Sequence, residues 1–87
     1  DMMTLLKLRH GQYSLIEEKI TPGARAVGVA IKDLSMPDNV VIAAIIRHGK
    51  MVLPRGLTSF ESGDEVLAIT DRQGADFLVA LFTTQKG

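Results

Sequence analysis

Four polar residues lie around the apolar segment 40–46 and have the chemistry to bind an anion. Arg47 and His48 directly follow this segment, Asn39 precedes it, and Arg55 ends the next apolar run. Cationic side chains hold a phosphate or a carboxylate through charge-assisted hydrogen bonds. If a tight hairpin joins the two apolar runs, these cations converge with Asn39 at one edge of a sheet. On this interpretation the four residues form a ligand site.

A structural role for Arg47 is the alternative interpretation. Its guanidinium group can pair with a nearby acid, Asp64 or Glu65, and fix a turn. The Gly63-Asp64 step is itself typical of a tight turn, because glycine permits a positive φ and aspartate accepts from turn amides. The residues leave both interpretations open for Arg47, and likewise for Arg55.

Catalysis and metal binding find little support in the residue pattern. His10 and His48 belong to different segments and lack the close spacing of a metal-ligand pair. The serines lie in no Gly-x-Ser-x-Gly context, and no glycine-rich phosphate loop of the Walker or Rossmann type is present. Glu17 and Glu18 are adjacent on a predicted strand, so they point to opposite faces and cannot act as a carboxylate pair. We therefore predict no metal site, no cofactor and no enzyme activity.

Composition narrows the class of protein further. The chain has 87 residues, enough for one domain, and a domain of this size buries only about 60 to 65% of its unfolded surface, so self-association would help it. Hydrophobic residues make up 46% but aromatic residues only 5%, which indicates an aliphatic core. Ten basic and ten acidic residues balance, which argues against a nucleic-acid partner. The absence of cysteine excludes disulfides and cysteine-rich zinc sites and fits a reducing cytoplasm.

Four strands are predicted after residue 12, separated by glycine- and proline-containing turns. They cover residues 13–20, 40–47, 50–53 and 65–70. Residues 4–9 fit either a short strand or a linker stub. The Val-, Ile- and Ala-rich segment 40–47 fits a strand buried on both faces, or one buried on one face and covered by a partner on the other.

Two helices are predicted beside these strands. Residues 26–34 place apolar residues at helical spacing, which favours a short helix with one buried face. Asp71 is a plausible N-cap for a closing helix, since its carboxylate can accept from first-turn amides. The apolar positions of that helix share one face: Ala75, Leu78, Val79 and Phe82. The predicted fold is a two-layer α+β domain with the order strand, short helix, three antiparallel strands and C-terminal helix.

The ordered series of short motifs between residues 13 and 82 resembles the C-terminal domain of regulators of potassium conductance, the RCK C-terminal or TrkA-C family. The series is LIEEKI, TPGA, Gly28, Asp33-Leu34, Met36-Pro37, Ile45-Ile46-Arg47-His48-Gly49, Leu53-Pro54-Arg55-Gly56 and Gly63-Asp64. The resemblance implies that the glycines, the proline and the aspartate of these motifs are structural: Gly28, Gly49, Pro54, Gly56, Gly63 and Asp64.

The family resemblance also implies a function and a context. Its members are cytoplasmic regulatory modules of potassium uptake proteins and channels, and they form homodimers that in some branches bind a small molecule or nucleotide. In potassium uptake proteins and channels they follow a Rossmann-type domain, where NAD or ATP would bind; in other cation and anion transporters they occur as inserts. On this basis the chain is a domain excised from a longer protein, with 1–12 as a linker from a preceding domain and 13–87 as the regulatory domain. It would lie at the inner face of the membrane, with a potassium transporter or channel subunit as partner.

The loop before the apolar strand departs from the members that bind cyclic di-AMP. Those members have a longer loop with an arginine, followed by an asparagine immediately before the strand. In this chain Val41 falls at the asparagine position, no arginine matches, and Asn39 is two residues out of register, at ~3.3 Å per residue. The resemblance therefore does not extend to cyclic di-AMP binding. A purely structural or oligomerisation domain of another transporter or enzyme, without a ligand, remains the alternative function.

Overall fold

The chain folds as one antiparallel sheet with an α-helix packed on one face, in a computed structural model that describes residues 2–84. The strands are β1 (Met3–Leu8), β2 (Tyr13–Lys19), β3 (Val40–Arg47), β4 (Lys50–Val52) and β5 (Glu65–Thr70), and the helix is α1 (Arg72–Phe82). Short 3-10 turns occupy Arg9–Gly11 and Ile31–Asp33. The predicted two-layer α+β class is confirmed. Between residues 2 and 84, no helix is both long and apolar enough to cross a bilayer.

The strand order in space is β1-β2-β5-β3-β4, so the last strand of the sequence is the central one. Side chains alternate between the two faces of each strand. One face packs against α1, which lies over β2 and β5. Its buried apolar residues come from three strands, the helix and the connecting loops, and include Ile16, Ile45, Val66, Phe60, Leu78 and Phe82. The rings of Phe60 and Phe82 meet edge to face, with their centroids 5.0 Å apart.

The prediction that Asp71 is the N-cap of the closing helix is confirmed. The Asp71 carboxylate accepts a hydrogen bond of 2.9 Å from the Gly74 amide, and a second of 2.8 Å from the side-chain amide of Asn39. Three of the four predicted apolar positions of the helix are buried and the fourth, Val79, is half-buried. The cap therefore joins the helix to the loop that leads into β3.

The predicted helix over residues 26–34 is wrong. This segment forms isolated β-bridges, Val27 with Phe60 and Ala30 with Ser59, and its only helical part is the 3-10 turn Ile31–Asp33. The Gly28 amide donates to the Phe60 carbonyl at 2.8 Å, and Gly28 itself has a φ of +80°. Backbone bonds to the segment before β5 replace the intrahelical bonds, and the left-handed glycine breaks the helical turn.

The strand prediction for residues 40–47 is confirmed as β3, with one face covered. Val40 and Ile45 are buried against the core, whereas Val41 on the opposite face is 57% exposed. A register shift between Ile42 and Ala44 keeps Ile42 and Ile45 on the covered face although they are three residues apart. Of the two possibilities for residues 4–9, the strand is observed: β1 pairs with β2 along the edge of the sheet.

A carboxylate lies within the covered layer. Glu18 is 1% exposed and shares its face with Ile16 and Ile20, while Glu17 faces the other way, as the alternation predicts. Burial raises the pKa of the Glu18 carboxyl above its ordinary value. The folded chain therefore holds this proton more readily than the unfolded chain does.

The raised pKa of Glu18 makes the stability of the domain depend on pH. The contribution of Glu18 to stability falls as pH rises from the ordinary glutamate pKa, about 4.3, towards the raised value of the folded state. Glu18→Gln has no such titration. We therefore expect the stability of Glu18→Gln relative to the parent, measured by urea unfolding at a series of pH values, to increase through this interval. A difference that stays constant with pH would contradict the prediction.

Candidate functional site

The face of the sheet opposite α1 carries a continuous row of apolar side chains. Leu6 lies opposite Leu15, Leu15 opposite Ile69, and Ile69 opposite Val41, so that the row crosses four strands. Leu6 is 55% exposed, Val41 is 57% exposed, and the two central side chains are half-buried by their neighbours in the sheet. We call this face the open face and these four residues the apolar row.

Both signs of charge border the open face at one end. Lys19 lies opposite Glu65, which in turn lies opposite Ile46, and Ile46 lies opposite the exposed Met51 of β4. The surface around the apolar row is therefore mixed in charge rather than acidic or basic. Such a surface does not select a partner of strong opposite charge.

A cleft of about 410 Å³ lies at the other end of the open face. Its lining combines two apolar residues of the row with an aromatic ring and two polar residues: Val41, Ile69, Tyr13, Asp38 and Asn39. The Asn39 amide nitrogen is engaged by Asp71, so the asparagine is held in place at the rim of this cleft. The cleft therefore brings an aromatic ring, a carboxylate and an amide next to one end of the apolar row.

A second cluster fixes the far end of β3. The Arg47 guanidinium donates from Nε to Asp64 Oδ1 at 2.8 Å and from Nη2 to Asp64 Oδ2 at 2.9 Å. It also donates to the carbonyl of Ser59 at 2.9 Å and lies 3.0 Å from a carboxylate oxygen of Glu61. The structure thus brings Arg47 to Asp64, one of the two acids considered from the sequence. We call Arg47, Asp64, Glu61 and Ser59 the arginine clamp.

Asp64 is the buried partner in the clamp, with 1% of its side chain exposed. Burial by itself raises the pKa of this carboxyl, but hydrogen bonds from Arg47 and from the Glu61 amide outweigh burial, and the net pKa is lowered. Gly63, whose φ is +88°, precedes Asp64 and makes the turn that delivers it. The Gly63-Asp64 step therefore serves the fold, because its carboxylate joins β3 to the loop before β5.

The four residues predicted to converge at one edge lie apart. Asn39 enters β3 and Arg47 ends it, and a strand of eight residues spans about 25 Å. His48, with a φ of +52°, lies in the turn after Arg47, next to a cleft of about 300 Å³. Arg55 is exposed in the loop after β4. The structure therefore keeps Arg47 and His48 adjacent, and separates Asn39 from them by the length of the strand.

The remaining motif residues have structural positions. Gly49 completes the turn between β3 and β4, and the Gly56 carbonyl accepts from the Lys32 amide at 3.0 Å. Pro54 lies in the same loop, whose ends are joined by the Thr58 hydroxyl donating to the Leu53 carbonyl at 3.1 Å. Within residues 2–84 there is no grouping of three or more His, Cys, Asp or Glu side chains that could hold a metal ion.

The open face, and the strand order that forms it, were not predicted from the sequence. The central place of β5 puts Ile69 next to Val41, and nothing in the local pattern indicates that order. The signal for the open face was nevertheless present in β5, where both Val66 and Ala68 on one face and Leu67 and Ile69 on the other are apolar. A strand that is apolar on both faces needs a cover on both.

These structural features by themselves indicate a small domain that associates with other chains. The domain is small, the half-buried guanidinium of Arg47 is neutralised within the fold, and its most prominent surface is apolar and uncovered, which suits association. The TrkA-C domain family matches residues 15–83, and the chain belongs to this family. TrkA-C domains are regulatory and non-catalytic, in agreement with the prediction that the chain is not an enzyme.

Three named proteins align with most of this chain. It is 39% identical over 72 residues to a Trk system potassium uptake protein TrkA homolog of Archaeoglobus fulgidus, covering 83% of this chain and 16% of that protein. It is 29% identical over 72 residues to the K(+)/H(+) antiporter NhaP2 of Shewanella sp. (strain MR-4), covering 83% and 12%. It is 27% identical over 75 residues to the Trk system potassium uptake protein TrkA of Mycobacterium tuberculosis, covering 84% and 34%. The chain thus spans about a third or less of the length of these relatives.

A solved structure supports the fold. The chain described as "Structure of RCK domain with cda" superimposes with a TM-score of 0.68 at 19% identity, over 77% of this chain and 96% of that one. This likeness concerns the arrangement of the sheet and the helix.

Proposed function

We propose that the chain is the regulatory, ligand-sensing and dimerisation domain of a potassium transport system. The proposal places it in the cytoplasm at the inner face of the membrane, beside a potassium transporter or channel subunit. The names of the relatives in potassium uptake and K(+)/H(+) exchange support the potassium link. We propose no cofactor for the residues of this chain; NAD or ATP would belong to a preceding Rossmann-type domain.

The apolar row is the observation that carries the dimerisation part of the proposal. Exposed apolar surface costs about 25 cal/mol per Å² relative to burial, and monomers rarely expose large contiguous apolar patches. Leu6 and Val41 stand more than half exposed at the two ends of the row. A second copy offers the same apolar row as a cover. The balanced net charge of the chain adds no long-range repulsion between copies.

Ligand sensing would act at the cleft at the end of the open face. The cleft shares Val41 and Ile69 with the apolar row, so a molecule bound there would touch the proposed seam between the two copies. Such a ligand shifts the balance between dimer geometries only by the difference in its affinity for them. Of the four residues predicted to bind a ligand, Asn39 is the one that lines this cleft.

The dimer is tested by a charge placed in the apolar row. We expect Val41→Glu to be monomeric at high micromolar concentration in sedimentation equilibrium, while the parent is dimeric, because two carboxylates would be buried in an apolar seam. Leu57→Glu is the matched control. Leu57 is 80% exposed in the loop after β4, and we expect this variant to stay dimeric. Equal dimerisation of Val41→Glu and the parent would contradict the proposal.

A structural domain without a ligand is the second candidate function. The arginine clamp favours it, since the guanidinium of Arg47 is already occupied by two carboxylates and a carbonyl. A thermal-shift screen with nucleotides, cyclic dinucleotides, divalent metals and monovalent cations separates the two. A ligand at a hundred times its dissociation constant adds about 2.7 kcal/mol of stability. If no compound in the screen stabilises the chain while the chain still forms a dimer, ligand sensing is contradicted and dimerisation is not.

A further inference from the structure

Strand β1 lies outside the residues that match the TrkA-C family, yet it is part of the open face. The family match covers residues 15–83, whereas β1 is Met3–Leu8. Among the described residues 2–84, β1 forms one edge of the sheet and has β2 as its neighbouring strand. This chain therefore carries a strand beyond the matched domain, and that strand supplies Leu6 to the apolar row.

The register of β1 places its paired apolar and polar side chains on opposite faces of the sheet. Met3, Leu6 and Leu8 lie opposite Glu17, Leu15 and Tyr13, which places them on the open face. The residues paired with Ser14 and Ile16, which are Lys7 and Thr4, lie on the side of α1. The paired residues of the edge strand are thus apolar towards the open face and polar towards the helix. Leu5, which is 44% exposed, is the extra residue at the register shift between Thr4 and Leu6.

The size of the open face supports a role for β1 in binding. At ~4.8 Å between strands and ~3.3 Å per residue, the face measures roughly 19 by 20 Å without β1 and roughly 24 by 20 Å with it. The projected area rises from about 380 to about 480 Å², whereas a specific interface needs about 500 Å² or more per partner. Without β1 the face falls well short of this requirement, and with it the face comes close.

We propose that β1 extends the dimer interface, so that Met3, Leu6 and Leu8 are covered by the second copy of the chain. This inference rests on the proposed dimer and adds an element that the matched family residues do not include. The charges near the face favour a second copy over a strongly charged partner. Lys19 and Glu65 lie opposite each other in the sheet, so the charges at this end of the open face balance within one chain and do not repel a second copy.

The experiment uses the natural lack of cysteine, which allows one thiol to be placed at a time. Leu6→Cys and Val41→Cys report on the two ends of the apolar row, and Lys7→Cys reports on the opposite side of β1. Labelling by a maleimide is measured at low and at high chain concentration. Where nine-tenths of the chain is dimeric, we expect labelling of Leu6→Cys and Val41→Cys to slow by roughly tenfold, because only the monomer reacts, and labelling of Lys7→Cys to stay unchanged.

The outcomes separate the two proposals. Protection of Val41→Cys without protection of Leu6→Cys would overturn the role of β1 and leave the dimer standing. Equal protection of Leu6→Cys and Lys7→Cys would also overturn it, because β1 would then pair through its edge and not its face. Absence of protection at both ends of the row would overturn the open-face dimer itself, and with it this inference.

Discussion

Replacing Arg47 by methionine is expected to lower the free energy of unfolding by about 3 kcal/mol or more. The substitution keeps the aliphatic stem but removes both guanidinium donors from the buried Asp64 carboxylate, which keeps its hydrogen bond from the Glu61 amide. Breaking a buried pair by removing one partner costs about 3 to 5 kcal/mol, because an uncompensated charge remains. That is a large part of the roughly 5 to 15 kcal/mol that a folded domain has in total. Urea unfolding of the two proteins at neutral pH measures the loss.

The loss of stability in Arg47→Met is also expected to depend on pH. In the parent, the lowered pKa of Asp64 means that its stabilising contribution is present above the ordinary aspartate pKa of about 3.9 and is lost as pH falls through the folded value. Without Arg47 this contribution is absent. The deficit of Arg47→Met relative to the parent should therefore be largest near neutral pH and shrink in acid.

Lys50→Met is the matched control for the arginine clamp. Lys50 lies directly opposite Arg47 in the β3–β4 pair and is exposed, so the variant removes a cation from the same place without touching Asp64. We expect its stability to remain within about 0.5 kcal/mol of the parent. Similar losses in the two variants would contradict the clamp as a buried structural pair.

Gly74→Ala is expected to destabilise the domain by about 2 kcal/mol, although alanine is the better helix former by about 1 kcal/mol. A Cβ at this position would overlap the Thr70 hydroxyl oxygen and would lie 2.9 Å from a Val40 methyl group and 3.1 Å from the Asn39 carbonyl oxygen. The hydroxyl is held in place, since it donates to that same carbonyl at 2.6 Å. Thermal or urea unfolding measures the cost of moving the helix away.

Two further variants show whether this crowding is the cause. Asp76→Ala, on the exposed side of the same helix, should change stability by no more than about 0.5 kcal/mol. Thr70→Ala should cost less in the Gly74→Ala background than in the parent, because it removes the atom in conflict, and neighbouring sites couple by about 0.5 to 3 kcal/mol. Strict additivity of the two substitutions would show that the close approach at Gly74 is not responsible.

Local patterns were sufficient where a strand or helix depends mainly on its own residues. The strand at residues 40–47 follows from its β-branched composition, and the start of α1 follows from the capping chemistry of Asp71. The pairing of Arg47 with Asp64 was one of the two interpretations open from the sequence. The turn at Gly63 made that pairing plausible, and the coordinates confirm it.

Long-range pairing was the part that local patterns did not predict. Residues 26–34 have helical apolar spacing, but the amides of Gly28 and Ile31 donate to the carbonyls of Phe60 and Thr58, which are far away in the sequence. The convergence of Asn39 with Arg47 assumed that both ends of one strand meet at one edge, whereas the strand holds them apart. The apolar row likewise depends on the insertion of β5 between β2 and β3, which no property of a single strand indicates.

Sedimentation equilibrium of the unmodified chain, from low to high micromolar concentration, is the most direct measurement of whether the open face is covered by a second copy. We expect the measured mass to rise from the 9.4 kDa of one chain to twice that value as the concentration increases. A single species of 9.4 kDa throughout this range would contradict it.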